Sequence, residues 1–251
     1  LQDNSAVLPP DVMGAAGPNH LFETLNSQYE LFSKTGSVVS TLTLSSFWSG
    51  LSSVGTAYSD PHVVFDAITN KWITCIIAQL SNGHYGIFVA GSLTDDPTGN
   101  WYEYSFDTGP SSLLPDFPLL GYNKNWVVIT TNDFVNFLYN HVGIMVMNIN
   151  SLFDGTLTIA NNFSDADAFT ISSAETFDAT EETEYMVSDY NGNSNNAGYI
   201  KVGAITGTPD EPVYNIGVLL GVNKPWSDAE VDAPQKGNTH KITTHDSRMH
   251  T

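Results

Sequence analysis

The sequence predicts an all-β protein, a β-propeller of four-stranded blades with about 56 residues per blade. Three observations predict it. Helical periodicity is almost absent, and short runs rich in Val, Ile, Phe, Tyr and Thr alternate with clusters of Gly, Asn, Asp and Pro. The runs recur in a fixed internal order. Each recurring unit holds four strand-like segments, the size of a propeller blade and larger than a solenoid turn. A β-sandwich would also produce many short strands, but it does not account for a repeat that keeps strand order and turn chemistry.

The first landmark of the repeat is an acidic residue, then an apolar strand, then an apolar or aromatic residue opening the next strand. Asp11 leads to Leu21, Asp60 to Trp72, Asp116 to Trp126, Glu175 to Tyr185 and Asp232 to Ile242, and the acids lie 49, 56, 59 and 57 residues apart. The second landmark is the following strand: YELFSKTG from Tyr29, HYGIFVAGS from His84, HVGIMVMNI from His141 and GYIKVGAIT from Gly198, the last three starting 57 residues apart. In the second unit the strands A to D are His62–Phe65, Trp72–Ala78, Gly86–Gly91 and Trp101–Phe106. The segment SLTDDPTGN between C and D has turn composition, as do SKTGSVV, NSLFDGTLT and TGTPDEPVY in the other units. The expected organisation is one domain with blades over residues 9–58, 59–110, 111–170 and 171–227, and an incomplete fifth over 228–251. A propeller closes to hide its sheet edges, so a further chain segment or subunit is expected to complete the ring.

A chain of 251 residues suits one large all-β domain. With 27 acidic against 8 basic residues and a net charge of -19, nucleic acid and anionic membranes are poor partners. Such a balance suits solubility in a salty or extracellular medium, and clustered carboxylates also suit Ca2+. Cys75 is the one cysteine, which rules out a disulfide framework and reads as a small core residue. No apolar run approaches the length of a membrane-spanning helix. The start at Leu1 rather than Met suggests a processed or trimmed chain, and few lysines amid abundant Ser, Thr, Asn and Gly point to a secreted protein.

In a propeller, strand A lines the axis and the B–C loops return to the face where A starts. Asp11, Asp60, Asp116, Glu175 and Asp232 are therefore expected to ring one end of the channel, beneath the B–C loops AQLSNGH, NDFVNFLYNH and DYNGNSNNAG. Glycoside hydrolysis needs one carboxyl group as acid and a second as base or nucleophile, which makes Asp60, Asp116 and Glu175 the catalytic candidates. Asp11, Asp232, His62, His84, His141, Asn132, Asp133, Tyr139, Asp189 and Tyr190 are the candidate glycan contacts. The same acids also suit backbone capping between blades, or a Ca2+ site with oxygen ligands from several blades; no residue is assigned to a metal.

His84 and His141 each precede a Gly-Ile pair by two residues and read as equivalent positions, either proton-transfer groups or loop histidines bonded to backbone. No HExxH or Cys-His spacing marks a zinc site. Trp48, Tyr58, Trp101, Phe134, Phe137, Tyr139 and Tyr190 are candidates for stacking on a sugar face, whereas Trp72 and Trp126 recur in register and are expected in the core.

The C–D segment TDDPTGNW resembles the Asp-box turn of sialidase-like propellers, with Asp95 or Asp96, Gly99 and Trp101 matching at a spacing one residue longer. The wider string PPDVMGAAGPNH, DPHVVFDAITNKW, DDPTGNWYEY and DFPLLGYNKNWVVITTNDF, over Pro9–Phe134, resembles a group of secreted bacterial β-propeller proteins. The resemblance implies export and a propeller. Sialidase chemistry does not follow from it, because that family clamps a carboxylate with three arginines and Arg248 is the single arginine here. The expected function is an extracellular carbohydrate-active protein, a glycoside hydrolase acting at the channel mouth. The alternatives are a non-catalytic glycan-binding or adhesion propeller stabilised by calcium, and a polysaccharide lyase using His84, His141 and Tyr139.

Overall fold

The computed structural model describes residues 7, 9–52, 55, 57–189, 198–226 and 232–242. They form four antiparallel four-stranded sheets, each a meander in chain order, and one two-stranded ladder. Blade 1 comprises β1 (Met13–Ala16), β2 (His20–Thr24), β3 (Gln28–Ser33) and β4 (Val38–Thr43). Blade 2 comprises β5 (Ala57–Asp66), β6 (Lys71–Gln79), β7 (Tyr85–Ser92) and β8 (Trp101–Asp107). Blade 3 comprises β9 (Leu113–Tyr122), β10 (Trp126–Val135), β11 (Leu138–Asn148) and β12 (Asn161–Asp165). Blade 4 comprises β13 (Ser172–Ser173), β14 (Glu184–Asp189), β15 (Gly198–Thr208) and β16 (Glu211–Val222), and β17 (Ala233–Pro234) pairs with β18 (Lys241–Ile242). The first strands β1, β5, β9 and β13 contact one another in succession, so they line an axis from which the sheets radiate. The chain is a β-propeller.

The core lies between blades. On β6 successive side chains point to opposite faces. Trp72, Ile76 and Ala78 pack with Phe22, Tyr29 and Trp48 of blade 1, while Ile73, Cys75 and Ile77 pack with Tyr122, Val127 and Ile129 of blade 3. That double burial explains why WITCIIA reads as a continuous apolar run rather than an alternating one. Each such side chain contributes roughly 1.5–3 kcal/mol by leaving water. Trp126, Val128 and Ile144 continue the pattern against Met186 and Ile205 of blade 4.

The ladder corrects the expected register. Trp72 pairs with Phe65, and Tyr122 pairs with Val127, so Val127 stands where Trp72 does. The A–B connection is two residues shorter in blade 3, seven residues from Phe65 to Trp72 against five from Tyr122 to Val127. Both tryptophans are fully buried, but Trp72 faces blade 1 and Trp126 faces blade 4.

Two segments read as turns or loops have other structures. NSLFDGTLT contains the helix α2 of this chain's blade 3 (Ile149–Asp154; α1 is Leu44–Phe47, after β4), capped by Asn148 at one end and by Gly155 at φ 84 at the other. Its Leu152 and Phe153 fill the interface between blades 2 and 3. The loop NDFVNFLYNH is a continuation of β10 and β11 around a two-residue turn, Asn136 and Phe137, both at positive φ (51 and 65), as type I′ hairpins require.

Candidate functional site

Blades 1 to 4 each hold a residue in the left-handed region near the start of the first strand: Asp11 (φ 46) just before β1, Asp60 (φ 54) within β5, Phe117 (φ 53) within β9 and Thr170 (φ 57) just before β13. Asp adopts this conformation at lower cost than bulky or β-branched residues. In blades 2 and 3 the ladder slips here, between Ser59 and His62 and opposite Thr130 to Asn132. Bulges of this kind re-aim side chains.

A Thr-x-Asn unit at the end of the second strand secures the slip from the neighbouring blade. Asn26 accepts from the Asp60 N–H at 2.6 Å and donates to Asp11 Oδ2 at 2.5 Å, while Thr24 Oγ1 donates to the Pro61 carbonyl at 3.3 Å. In blade 3, Asn132 accepts from the Thr170 N–H and donates to Thr170 Oγ1, both at 2.8 Å, and Thr130 Oγ1 donates to the Ile171 carbonyl. Asn132, expected to contact glycan, is thus buried in a blade-to-blade clasp. The sequence carries the signal as TLN and TTN at matching distances from the strand start.

The bulges gather Asp11, Asp60 and His62 into a cavity of about 380 Å³ at the axis, walled by Met13, Pro61, Phe117 and Leu119 among others. The Asp60 carboxyl group hydrogen-bonds Asp11 and accepts the backbone N–H of Phe117 from blade 3. Burial, then the Asp11 contact and the charges of Asp11 and Asp116, push its pKa up to about 7. Asp116 is the solvent-exposed member; desolvation and the Asp11 charge raise its pKa, against the Phe117 N–H. Near neutral pH Asp60 is therefore poised between its acid and carboxylate forms, beside the carboxyl groups of Asp11 and Asp116. A carboxyl group in that state can give up a proton to a leaving group.

The expected ring of five acids is not what forms. Glu175 lies five residues beyond Thr170, the same step that separates Phe117 from Tyr122, and it bridges to Tyr122 at the opposite end of the axis. Thr170 takes the place expected for an acid in blade 4. Burial raises the Glu175 pKa there. Nearby, Glu184 stands at the position of Trp72 and Val127, fully buried, with Ser173 Oγ donating to its Oε1 at 2.7 Å; burial pushes its pKa up to about 8. Asp232 is exposed beside β17 and does not line the axial cavity.

The histidines also separate. His62 is buried in the axial cavity wall, and its carbonyl accepts from Thr74 Oγ1 at 2.8 Å. His84 is at the rim of blade 2, with Nδ1 2.9 Å from Asp107. His141 lies 3.1 Å from Asp133, between blades 2 and 3. In the ladder His141 opposes Asp133 as Gly86 opposes Ala78, so His84 and His141 are offset by two residues. Tyr139 donates its hydroxyl to the Ala168 carbonyl and packs edge-on against Phe134 and Phe169. Asp189 is buried at the end of β14, and Tyr190 lies outside the described residues, as does Arg248.

Of the aromatic candidates, Trp48 is fully buried between blades 1 and 2, and Trp101 packs on Phe22 and Phe47; Phe137 at the hairpin tip is 87% exposed. Among the described residues no group of three or more His, Cys, Asp or Glu side chains is arranged to hold a metal ion, so no calcium site is assigned within them. Nor, among them, is any helix long and apolar enough to cross a membrane. The Asp-box-like segment is an Asx turn: Asp96 Oδ1 accepts from Thr98 N and Oγ1, and the Gly99 N–H closes onto the Asp96 carbonyl. The same Asp-x-Thr unit recurs at Asp154 and Asp178. The Asp96 turn joins the third and fourth strands, on the face opposite the axial cavity.

No protein-family model matches the chain, and no curated protein does. Among solved structures it is similar to exo-β-1,3-galactanase from Phanerochaete chrysosporium bound to β-1,3-galactotriose, at 10% identity and TM-score 0.43, over 84% of this chain and 50% of that one. It is also similar to a neuraminidase-like protein of A/flat-faced bat/Peru, at 10% identity and TM-score 0.44, over 86% and 59%. The chain thus spans about half the length of the structures it matches.

Proposed function

We propose that the chain is an extracellular carbohydrate-active propeller and that its axial cavity hydrolyses a glycosidic bond. The observation that carries this reading is the meeting of Asp11 and Asp60, from two blades, in one apolar-walled cavity with no lysine or arginine in its lining, with Asp116 of a third blade near enough for its charge to act on Asp60. Asp60, which keeps its proton toward neutral pH, delivers it to the leaving oxygen. Asp116, the exposed carboxylate, acts on the anomeric carbon or on a water beside it. Met13, Phe117 and Leu119 offer apolar surface to the carbon-bound hydrogens of a sugar ring, and the lack of basic groups favours a neutral glycan over a sulfated or uronate one. A composition poor in lysine and rich in Ser, Thr, Asn and Gly supports an extracellular setting.

A second reading is glycan binding without turnover. It is favoured by the Asp60 N–H donating to Asn26 Oδ1 and the Phe117 N–H donating to the Asp60 carboxyl group, which give Asp60 a role in holding blades together. A panel of neutral polysaccharides, with released products analysed by mass, separates the two. The hydrolase reading expects shortened products that disappear in Asp60→Asn while the melting temperature holds. Binding with no product from any glycan would leave the second reading standing.

A further inference from the structure

A second cavity, of about 370 Å³, opens between blades 2 and 3 and shares no lining residue with the axial one. The repeat itself shows that it is not a packing accident. With Val127 standing where Trp72 does, Thr131, Asp133 and Gly143, the ladder partner of Thr131, occupy the positions of Ile76, Ala78 and Phe88. In blade 2 those three are buried core against blade 1. In blade 3 two apolar residues have become polar and the phenylalanine has become glycine, and the interface opens. A Cβ at Gly143 would lie 2.6 Å from Asp133 Oδ2 and 2.8 Å from Thr131 Oγ1, so the glycine makes room for the polar pair.

The polar groups are held in place. Thr131 Oγ1 donates to Asp133 Oδ1 at 2.7 Å, and His141 Nε2 lies 3.1 Å from Asp133 Oδ2. The Asn140 side-chain amide is 2.6 Å from His141 Nδ1 and donates to it, which puts the imidazole proton on Nε2, facing Asp133. Asp133 is thus a buried acceptor fixed by two donors. The opposite wall offers the apolar Ile87 and Phe106, and Phe163 also lines the cavity. Asp107, at the rim, is already occupied by His84, Asn82 and the Gly109 N–H.

We propose that this inter-blade cavity is a binding site for a single neutral sugar ring, with hydroxyl groups donating to Asp133 and one face of the ring against Phe106 and Ile87. The volume is in the range of small-ligand pockets, and a few fixed polar groups on apolar walls are what such pockets use for orientation. The choice of a sugar rests on the glycan reading above; the cavity and its polar replacements do not.

The test is an amide-resolved NMR titration of the whole chain with methyl glycosides of glucose, galactose, mannose and xylose, and with cyclohexylammonium as a cationic control. At least one glycoside should shift the Thr131 and Gly143 amides with a dissociation constant on the order of millimolar. The double variant Thr131→Ile/Asp133→Ala, which installs the blade 2 residues, should weaken that binding at least tenfold with no loss of melting temperature. Thr131→Val, which removes one donor to Asp133, should weaken it less. Asp60→Asn should leave the groove shifts unchanged. No groove shift with any glycoside, shifts with cyclohexylammonium alone, or undiminished binding in the double variant would each overturn the proposal. Failure of the hydrolase reading is read separately, from absent product and an unresponsive Phe117 amide.

Discussion

The two ends of the propeller axis carry the same chemical group in different states of use. Where the first strands begin, Asp60 meets Asp11 over an open cavity, with Asp116 close by in solvent. Where they finish, Glu184 is sealed against Ser173, beside Tyr122. Burial raises both pKa values, to about 7 and about 8. A raised pKa therefore does not by itself mark chemistry. What separates the ends is access: Asp60 opens onto a cavity, whereas Glu184 is fully buried, although Glu175 and Asp66 lie around the same Tyr122.

The largest expected difference is in turnover. On a glycan found by the product panel, Asp60→Asn should lower kcat by about 10²–10⁴, the usual worth of a positioned acid. Glu184→Gln should leave kcat within about twofold. Equal losses in the two variants would erase the distinction between the ends.

Next comes the pH dependence of stability. Glu184 has a folded-state pKa above its unfolded value of about 4.3, so the stability from its neutral form is full below that pH and is lost as pH rises through about 8. Glu184→Gln should therefore raise unfolding free energy at pH 8.5 by about 1–3 kcal/mol and change it little at pH 4, as read from urea denaturation at both pH values. Asp60→Asn should show the same sign, with the loss centred near pH 7 and a smaller amplitude because the site is partly solvated.

Breaking a clasp should cost somewhat less. Asn132→Ala leaves the buried Thr170 N–H without its acceptor and is expected to destabilise by about 1–2 kcal/mol, measured as a shift in the urea midpoint. The smallest effect belongs to the rim: His84→Ala removes a half-exposed contact with Asp107 and should cost under about 0.5 kcal/mol, read as a shift in the urea midpoint.

Much of the fold was legible in the chain. The strands of blade 2 fall within one or two residues of their reading at nearly every boundary but one, because β-branched and aromatic runs bounded by turn residues carry a local signal. The exception is the start of β5, where the left-handed Asp60 sits inside a longer strand. The site was legible in part. Asp11 and Asp60 were placed together by the recurrence of an acid before each first strand. The same recurrence points Glu175 to the wrong end of the axis, since an acid ten residues before an aromatic looks alike in either register. The role of the Thr-x-Asn units is not legible locally, because Thr24 and Thr130 act across blades, through contacts 37 and 41 residues away in sequence.

By itself, the sequence determined the all-β class, the four-strand unit and the burial of Trp72, Trp126 and Cys75, all of which follow from local composition and period. Only the tertiary structure decided which face of each sheet those residues occupy. A side-chain period of two means that an odd shift in ladder register exchanges the two faces, and such a shift arises because the left-handed residue is Asp60 in blade 2 but Phe117, one residue past Asp116, in blade 3. The same geometry sent Glu175 to the far end of the axis and turned Thr131, Asp133 and Gly143 toward blade 2, where the repeat elsewhere keeps Ile76, Ala78 and Phe88.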